Sequence, residues 1–361
     1  MVDIEELLRQ LVSVDGSDLH LKVGSPPMVR VDGALRRVGE SPLSPEETGG
    51  LAGFIMPPER RAQMLEQREA DFAYSLPGVG RFRVNVFRQR GSASIVMRRV
   101  RIGSPSFDEL GLPDSVRGLA ELPRGLILVT GPTGSGKTTS LACMIDHINT
   151  TKPVHILTIE DPIEVLHPDR VASVNQREVG VDTENYIVAM RAAMREDPDV
   201  ILIGEMRDQE TVSAALAAAE TGHLVMSTLH TIDATETINR IVDFFPPYQQ
   251  HQIRVTLAGA LRGVICQRLV LRASGGRVPA MEVMISNGRI AERILNPDSM
   301  GEISQIIAQG SYYGMQTFDQ SLLGLVKKGV ISIPDAMEAA SKPHDFSLML
   351  EQAGLRAVSV A

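Results

Sequence analysis

The 361-residue sequence predicts an α/β protein in two parts: a smaller α+β domain, then a larger domain with a mainly parallel sheet. Three observations predict this. Residues up to about 100 alternate apolar and polar positions between turn signals, as antiparallel strands do. Beyond about 114, short apolar strands alternate with helical patterns, the grammar of a parallel sheet with helices on its faces. Between one such strand and one such helix sits a Gly-rich segment ending in Gly-Lys-Thr. At roughly 150 residues per domain, the length also favours two domains.

Each element follows from local pattern. Ile4, Leu7, Leu8 and Leu11 fall at i, i+3, i+4 and i+7, one apolar helical stripe over residues 3–13. Leu19, Leu21 and Val23 alternate with polar residues, and Asp32-Gly33 joins two alternating runs as a hairpin turn. Ser44, Pro45 and Glu47 open a helix with a capping box. Strand-like runs follow at 71–76, 81–89 and 94–100. Residues 101–113 are rich in Gly, Pro and Ser, so a linker is expected there. The later strands are expected at 126–130, 155–159, 200–203 and 224–227. A two-strand segment turning at Gly275-Gly276 follows, and helices run from Gly288. The tail after Pro343 carries no motif.

Composition removes several classes of function. Lys plus Arg number 36 against 44 Asp plus Glu, a net charge of −8, and aromatics are 4% with no Trp. Stacking platforms for single-stranded nucleic acid lack material, so no nucleic-acid partner is expected. No run approaches the roughly 18 apolar residues of a membrane span, so no transmembrane segment is expected. The N-terminus, with Asp3, Glu5 and Glu6, lacks a basic region and an apolar region, which reads as an unprocessed cytoplasmic chain. Cys143 and Cys266 lie in apolar-periodic segments and read as buried thiols.

Gly131, Pro132, Thr133, Gly134, Ser135, Gly136, Lys137 and Thr138 satisfy G-x-x-x-x-G-K-[ST] after an apolar strand and before a helix that begins with Thr139. Glycines let successive backbone N–H groups wrap phosphates, and the helix dipole points at the same charge. Lys137 is expected to reach the β- and γ-phosphates, and Thr138 to ligate Mg²⁺. Phosphoryl transfer also needs acids at neighbouring strand ends. One set is Glu160, Asp161 and Glu164; the other is Glu205, closing the apolar run 200–203. Gly204 stands where an Asp commonly binds the metal, so the Glu160 group is expected to supply the missing charge. The plainer alternative leaves Glu160 and Asp161 as strand caps. His223 and His230 bracket the run 224–229; taken alone, two such histidines are more often structural than functional, but His230 is placed to sense a γ-phosphate. Arg81, Arg83, Arg88, Arg90, Arg98, Arg99 and Arg101 read either as a solvated basic face or as a source of arginines for a nucleotide.

Residues 131–139, 158–164, 195–208 and 219–231 resemble, in order, the Walker A, Asp box, Walker B and His box of the secretion-superfamily ATPases. Ser17-Asp18-Leu19-His20-Leu21, Pro26-Pro27, and the segments 175–180 and 314–319 look more narrowly like the type IV pilus retraction ATPases of twitching motility, over about Ile4 to about Pro343. The resemblance implies a PAS-like N-terminal domain (1–100), a linker (101–113) and a RecA-like ATPase domain with a helical C-terminal portion (114–361). It implies a homohexamer binding Mg-ATP between the domains and coupling hydrolysis to pilus retraction. Residues 131–139 and His223 would bind nucleotide, and Thr138, Asp161 and Glu160 would bind metal. Glu205, Glu160, Glu164, His230, Arg83 and Arg98 would be catalytic, with Arg81 a weaker candidate. Implied partners are an inner-membrane pilus platform protein and a paralogous retraction ATPase, which would bring the cytoplasmic motor to the membrane periphery. Gly288 to Leu295 departs from the family's late Ala-Ile-Arg-Asn/Thr-Leu-type motif. Pilus-assembly or type II secretion ATPase, nucleic-acid translocase and catalytically idle partner are the alternative readings.

Overall fold

The computed structural model describes residues 2–355; the motif-free tail beyond 355 lies outside the described residues. The chain divides into two compact units, Met1–Ile102 and Gly103–Ala361.

In the first unit, Asp3 caps the helix Ile4–Ser13 by accepting the Glu5 N–H, and the stripe Ile4, Leu7, Leu8 and Leu11 is buried. Six antiparallel strands are ordered β3-β2-β1-β6-β5-β4. They are β1 (Asp18–Leu21), β2 (Met28–Val31), β3 (Ala34–Arg37), β4 (Glu69–Leu76), β5 (Gly80–Gln89) and β6 (Ser92–Arg99). Asp32 and Gly33 both take positive φ, 50° and 80°, as a two-residue turn between twisted strands requires. Ser44 and Glu47 form the expected capping box on the helix Pro45–Ile55. A third helix, Pro58–Gln67, was not legible in the sequence because none of its residues is buried and no apolar stripe marks it.

Residues 101–113, expected as a linker, are instead built into structure. After the two-residue strand β7 (Arg101–Ile102), Ser106 and Glu109 box-cap the helix Phe107–Leu110, and Phe107 and Leu112 are buried among the second unit's apolar side chains. Local Gly and Pro content marked turns there, but Phe107 and Leu112 provide the apolar surface that binds the segment down.

The second unit holds a seven-stranded sheet, β11-β9-β12-β13-β8-β14-β15. Its strands are β8 (Gly125–Thr130), β9 (His155–Glu160), β11 (Ser173–Glu178), β12 (Val200–Ile203), β13 (Leu224–Leu229), β14 (Leu261–Leu271) and β15 (Arg277–Ile285); the short β10 (Val165–Leu166) lies outside it. All pairings are parallel except β14 with β15, the hairpin turned by Gly275 and Gly276. Alternating side chains feed two cores. Leu126 and Leu128 join the helices Gln209–Glu220, Ala234–Asp243 and Pro247–Ala260, while Ile127 and Val129 join the helices Asp114–Ala120 and Lys137–Thr151. Edge strand β11 was missed in the sequence: Ser173-Val174-Asn175-Gln176-Arg177-Glu178 has one strong apolar residue. The helix Gly288–Leu295 buries Ile290 and Ile294 and is tied to its neighbour by Arg254 Nη1, which donates to the Ile294 carbonyl at 3.2 Å.

Candidate functional site

Four strand ends converge because parallel strands β8, β9, β12 and β13 present their carboxyl termini to one edge of the sheet. A cavity of about 480 Å³ opens there, lined by residues 133–139, Glu160, Asp161, Glu164, Glu205, Arg207 and His230. The P-loop leaves β8 and enters the helix Lys137–Thr151. Gly131 and Gly136 both have positive φ, 141° and 89°. A Cβ would stand 2.3 Å from the Gln267 carbonyl oxygen at Gly131 and 2.8 Å from Gln267 Nε2 at Gly136. At Gly131 the β14 backbone leaves no space for a Cβ, and at Gly136 a Cβ would be strained by the positive φ and would displace the Gln267 amide. Gln267 on β14 is the brace: its Nε2 donates to the Ser135 carbonyl, and its Oε1 accepts from Ser140 Oγ, both at 2.7 Å. Sequence reasoning missed Gln267 because it lies 130 positions away from the loop in a strand read only as apolar.

Lys137 Nζ donates to the carbonyls of Gly131 (2.7 Å) and Pro132 (3.1 Å) and lies 3.4 Å from His230 Nδ1. Burial pushes its ammonium below the ordinary value and the Glu205 charge pulls it back. His230 Nε2 in turn lies 3.3 Å from Glu205 Oε1, so His230 stands between the lysine and the acid. The other oxygen of Glu205 accepts from Arg207 Nε at 2.8 Å, and Arg207 Nη1 is 3.9 Å from Asp161.

Glu160 is buried; its Oε1 accepts from Thr158 Oγ1 (2.6 Å) and Gln176 Nε2 (3.0 Å). Burial raises its carboxyl above the usual range, while those two hydrogen bonds oppose the rise. Gln176, on the edge strand β11, thus belongs to the site. Asp161 and Glu164 are exposed at the cavity wall. The Gly204 departure has a steric reason. A Cβ there would sit 3.0 Å from Tyr186 Oη and 3.4 Å from Glu160 Cα, so any side chain at this position would press on Tyr186 and the Glu160 backbone. Tyr186, on the helix Tyr186–Ala193, lines the same cavity and carried no sequence signal.

His223, expected to bind nucleotide, lies apart from the residues that line the cavity. It precedes β13 whereas His230 follows it, so at about 3.3 Å per residue the two imidazoles lie on the order of 20 Å apart, at opposite edges of the sheet. His223 Nδ1 contacts the Ala218 carbonyl at 2.9 Å and Thr221 Oγ1 at 3.2 Å, a helix-end arrangement away from the cavity.

In the first unit, Arg83 and Arg98 face each other across β5 and β6, and Arg98 faces Asp18 across β6 and β1. Arg98 Nε donates to Asp18 Oδ1 at 2.8 Å. Although burial opposes it, the Ser17 and Arg98 hydrogen bonds hold Asp18 below its ordinary value. The like charges of Arg83 and Arg98 sit side by side on one face, an arrangement that costs stability unless an anion offsets it. Arg81 is a partly buried neighbour on β5.

The donors at the cavity are oxygens: the exposed Thr138 hydroxyl and the carboxylates of Glu160, Asp161 and Glu205. That set suits Mg²⁺, which takes one or two protein oxygens and completes its shell with phosphate and water.

The family described as type II/IV secretion system protein matches residues 3–323. The chain belongs to that family. The type IV pilus retractation ATPase PilT of Pseudomonas aeruginosa is 47% identical over 345 residues, covering 96% of this chain and 100% of the relative. The type IV pilus ATPase PilU of the same organism is 40% identical over 351 residues, covering 97% of this chain and 92% of the relative. A crystal structure of the pilus retraction motor PilT with bound ADP is 48% identical with a TM-score of 0.85, covering 96% of this chain and 99% of that one. The mixed α/β architecture of this type II/IV secretion system family member is therefore shared with a nucleotide-bound relative. Among the described residues, no helix is long and apolar enough to cross a membrane.

Proposed function

We propose that the chain is a homohexameric motor ATPase that hydrolyses Mg-ATP to retract type IV pilus fibres in twitching motility. The observation that carries ATP hydrolysis is the line Lys137, His230, Glu205 at one cavity edge, with contacts of 3.4 and 3.3 Å. The end-to-end match to a relative named for pilus retractation supports the direction of movement.

The chain's own residues divide the work. Lys137 exchanges its two loop carbonyls for phosphate oxygens, and the 131–136 backbone wraps the same anion. Thr138, with Glu160 and Asp161, would hold Mg²⁺, which when bound neutralises charge developing on the transferred phosphoryl group. Glu205 accepts the proton of the attacking water, and Glu164 adds negative charge at the cavity mouth. His230 reads the γ-phosphate, since its contact with Lys137 must change when phosphate arrives. Arg83 and Arg98 of a PAS-like first domain bring cations to the γ-phosphate, with Arg81 behind them. Arg98 already pairs with one anion, Asp18, at 2.8 Å. RecA-like ATPase domains then rearrange as the phosphate is lost. The motor works on the cytoplasmic side against an inner-membrane platform protein, alongside a paralogous retraction ATPase.

The decisive experiment deletes the gene, shears the surface and quantifies pili together with surface motility. Excess pili with lost motility is the expected result. A bald surface would mean assembly, and unchanged pili would overturn the retraction reading.

A further inference from the structure

Behind the nucleotide cavity, three polar side chains cross the sheet in one row. Thr130 ends β8, Cys266 is its register partner on β14, and Glu282 is the partner of Cys266 on β15. Residues paired directly share a face of the sheet, so these side chains adjoin, and all three are buried. One end of the row is followed immediately by Gly131, the first residue of the P-loop. At the other end, Glu282 Oε1 accepts the N–H of Ala234 at 2.9 Å, the first residue of the helix Ala234–Asp243.

The four residues before Ala234 begin with His230, and they are bound to the same helix. Thr231 Oγ1 and Thr237 Oγ1 are 2.6 Å apart, Thr237 Oγ1 donates to the Asp233 carbonyl at 2.7 Å, and the Ile232 N–H donates to Glu236 at 2.9 Å. The Cys266 thiol lies beside the Thr130 and Thr237 hydroxyls, which closes the circuit from P-loop to His230 segment. A carboxyl buried here costs desolvation that an apolar side chain would avoid, so packing alone does not account for it.

We propose that Glu282 is a positioning residue that sets the His230 segment against the P-loop, controlling turnover rather than nucleotide affinity. This rests on the ATPase reading above. Its grip is charge-dependent, because a carboxylate at a helix N-terminus is favoured over the neutral acid. Burial pushes the Glu282 carboxyl up to about 7; the Ala234 N–H and Arg268 favour its charge, whereas Asp233 and Asp319 oppose it. Cys266 is its neutral neighbour. Ionisation therefore strengthens the hold on Ala234 as pH rises through about 7.

The test uses the full chain, with affinity for a fluorescent ADP analogue, kcat and KM for ATP measured from about pH 6 to about pH 8.5. Wild-type kcat should rise through the neutral range. Glu282→Gln keeps an acceptor for Ala234, so ADP affinity should stay within about twofold while kcat falls about fivefold and its neutral-range rise disappears. Glu282→Leu removes the acceptor and should lower kcat by about another tenfold with ADP affinity held. Wild-type kcat and pH profile in Glu282→Gln would overturn the inference, as would parallel losses of affinity and turnover. A wild-type chain that binds ADP yet never hydrolyses ATP would instead overturn the ATPase reading on which it rests.

Discussion

The two edges of the seven-stranded sheet use the same residue types to opposite ends. At the amino edge, His155 and Asp199 exchange two hydrogen bonds: the His155 N–H donates to Asp199 Oδ2 at 2.8 Å, and the Asp199 N–H donates to the His155 carbonyl at 2.9 Å. His223 turns to the Ala218 carbonyl there, and its own carbonyl accepts the Gly125 N–H. At the carboxyl edge, Lys137, His230, Glu205, Arg207 and Asp161 contact one another across a cavity. Polar groups with backbone partners hold a fold together; polar groups facing each other across open space are available to a ligand. The edge, not the residue type, separates a histidine held by backbone carbonyls from one that faces the cavity.

That contrast can be broken most severely at Lys137. Lys137→Ala should reduce ATP turnover at least about a hundredfold and remove measurable binding of a fluorescent ADP analogue, because no other cation of the P-loop reaches the phosphates. Glu205→Gln comes next: steady-state hydrolysis should fall about a hundredfold while ATP stays bound, read by rapid filtration of radiolabelled nucleotide. Retained hydrolysis there would move the proton-accepting role to Glu160. The histidine pair sharpens the comparison directly. His230→Ala should lower kcat by about tenfold or more, and His223→Ala should leave kcat within about twofold, both assayed at saturating Mg-ATP. Equal losses would show that the amino edge also takes part.

The smallest effect concerns His167, a buried side chain at the cavity wall. Burial pushes it down to about 4 from 6.5, so the folded chain keeps it neutral while an unfolded chain takes up its proton. Stability from this group is therefore complete above about 6.5 and lost as pH falls toward about 4. Across that window the thermal unfolding midpoint should fall more steeply for wild type than for His167→Gln, whose amide does not titrate.

Much of this was legible where the signal is local. The stripe Ile4, Leu7, Leu8, Leu11, the Asp32-Gly33 turn, the Ser44 capping box and the 131–138 loop each depend on neighbours within about one helical turn or one hairpin. Those segments formed where expected. The helix Pro58–Gln67 and the edge strand β11 were not legible, since both lack apolar periodicity and owe their place to the elements beside them. The Asp box read as three acids within five residues, yet only Glu160 is buried; Asp161 and Glu164 stay at the surface.

By itself, then, the sequence determined the P-loop, the succession of those strands and helices that carry a strong apolar period, and the acids at the ends of β9 and β12, because backbone preference and apolar period act over a few residues. Only the tertiary structure decided that Gln267 braces the loop, that Tyr186 crowds any side chain at Gly204, and that Glu282 holds the helix after His230. Those contacts join residues tens to more than a hundred positions apart. They follow from which strands pair and in what register, and no local pattern in a chain records the identity of a distant partner.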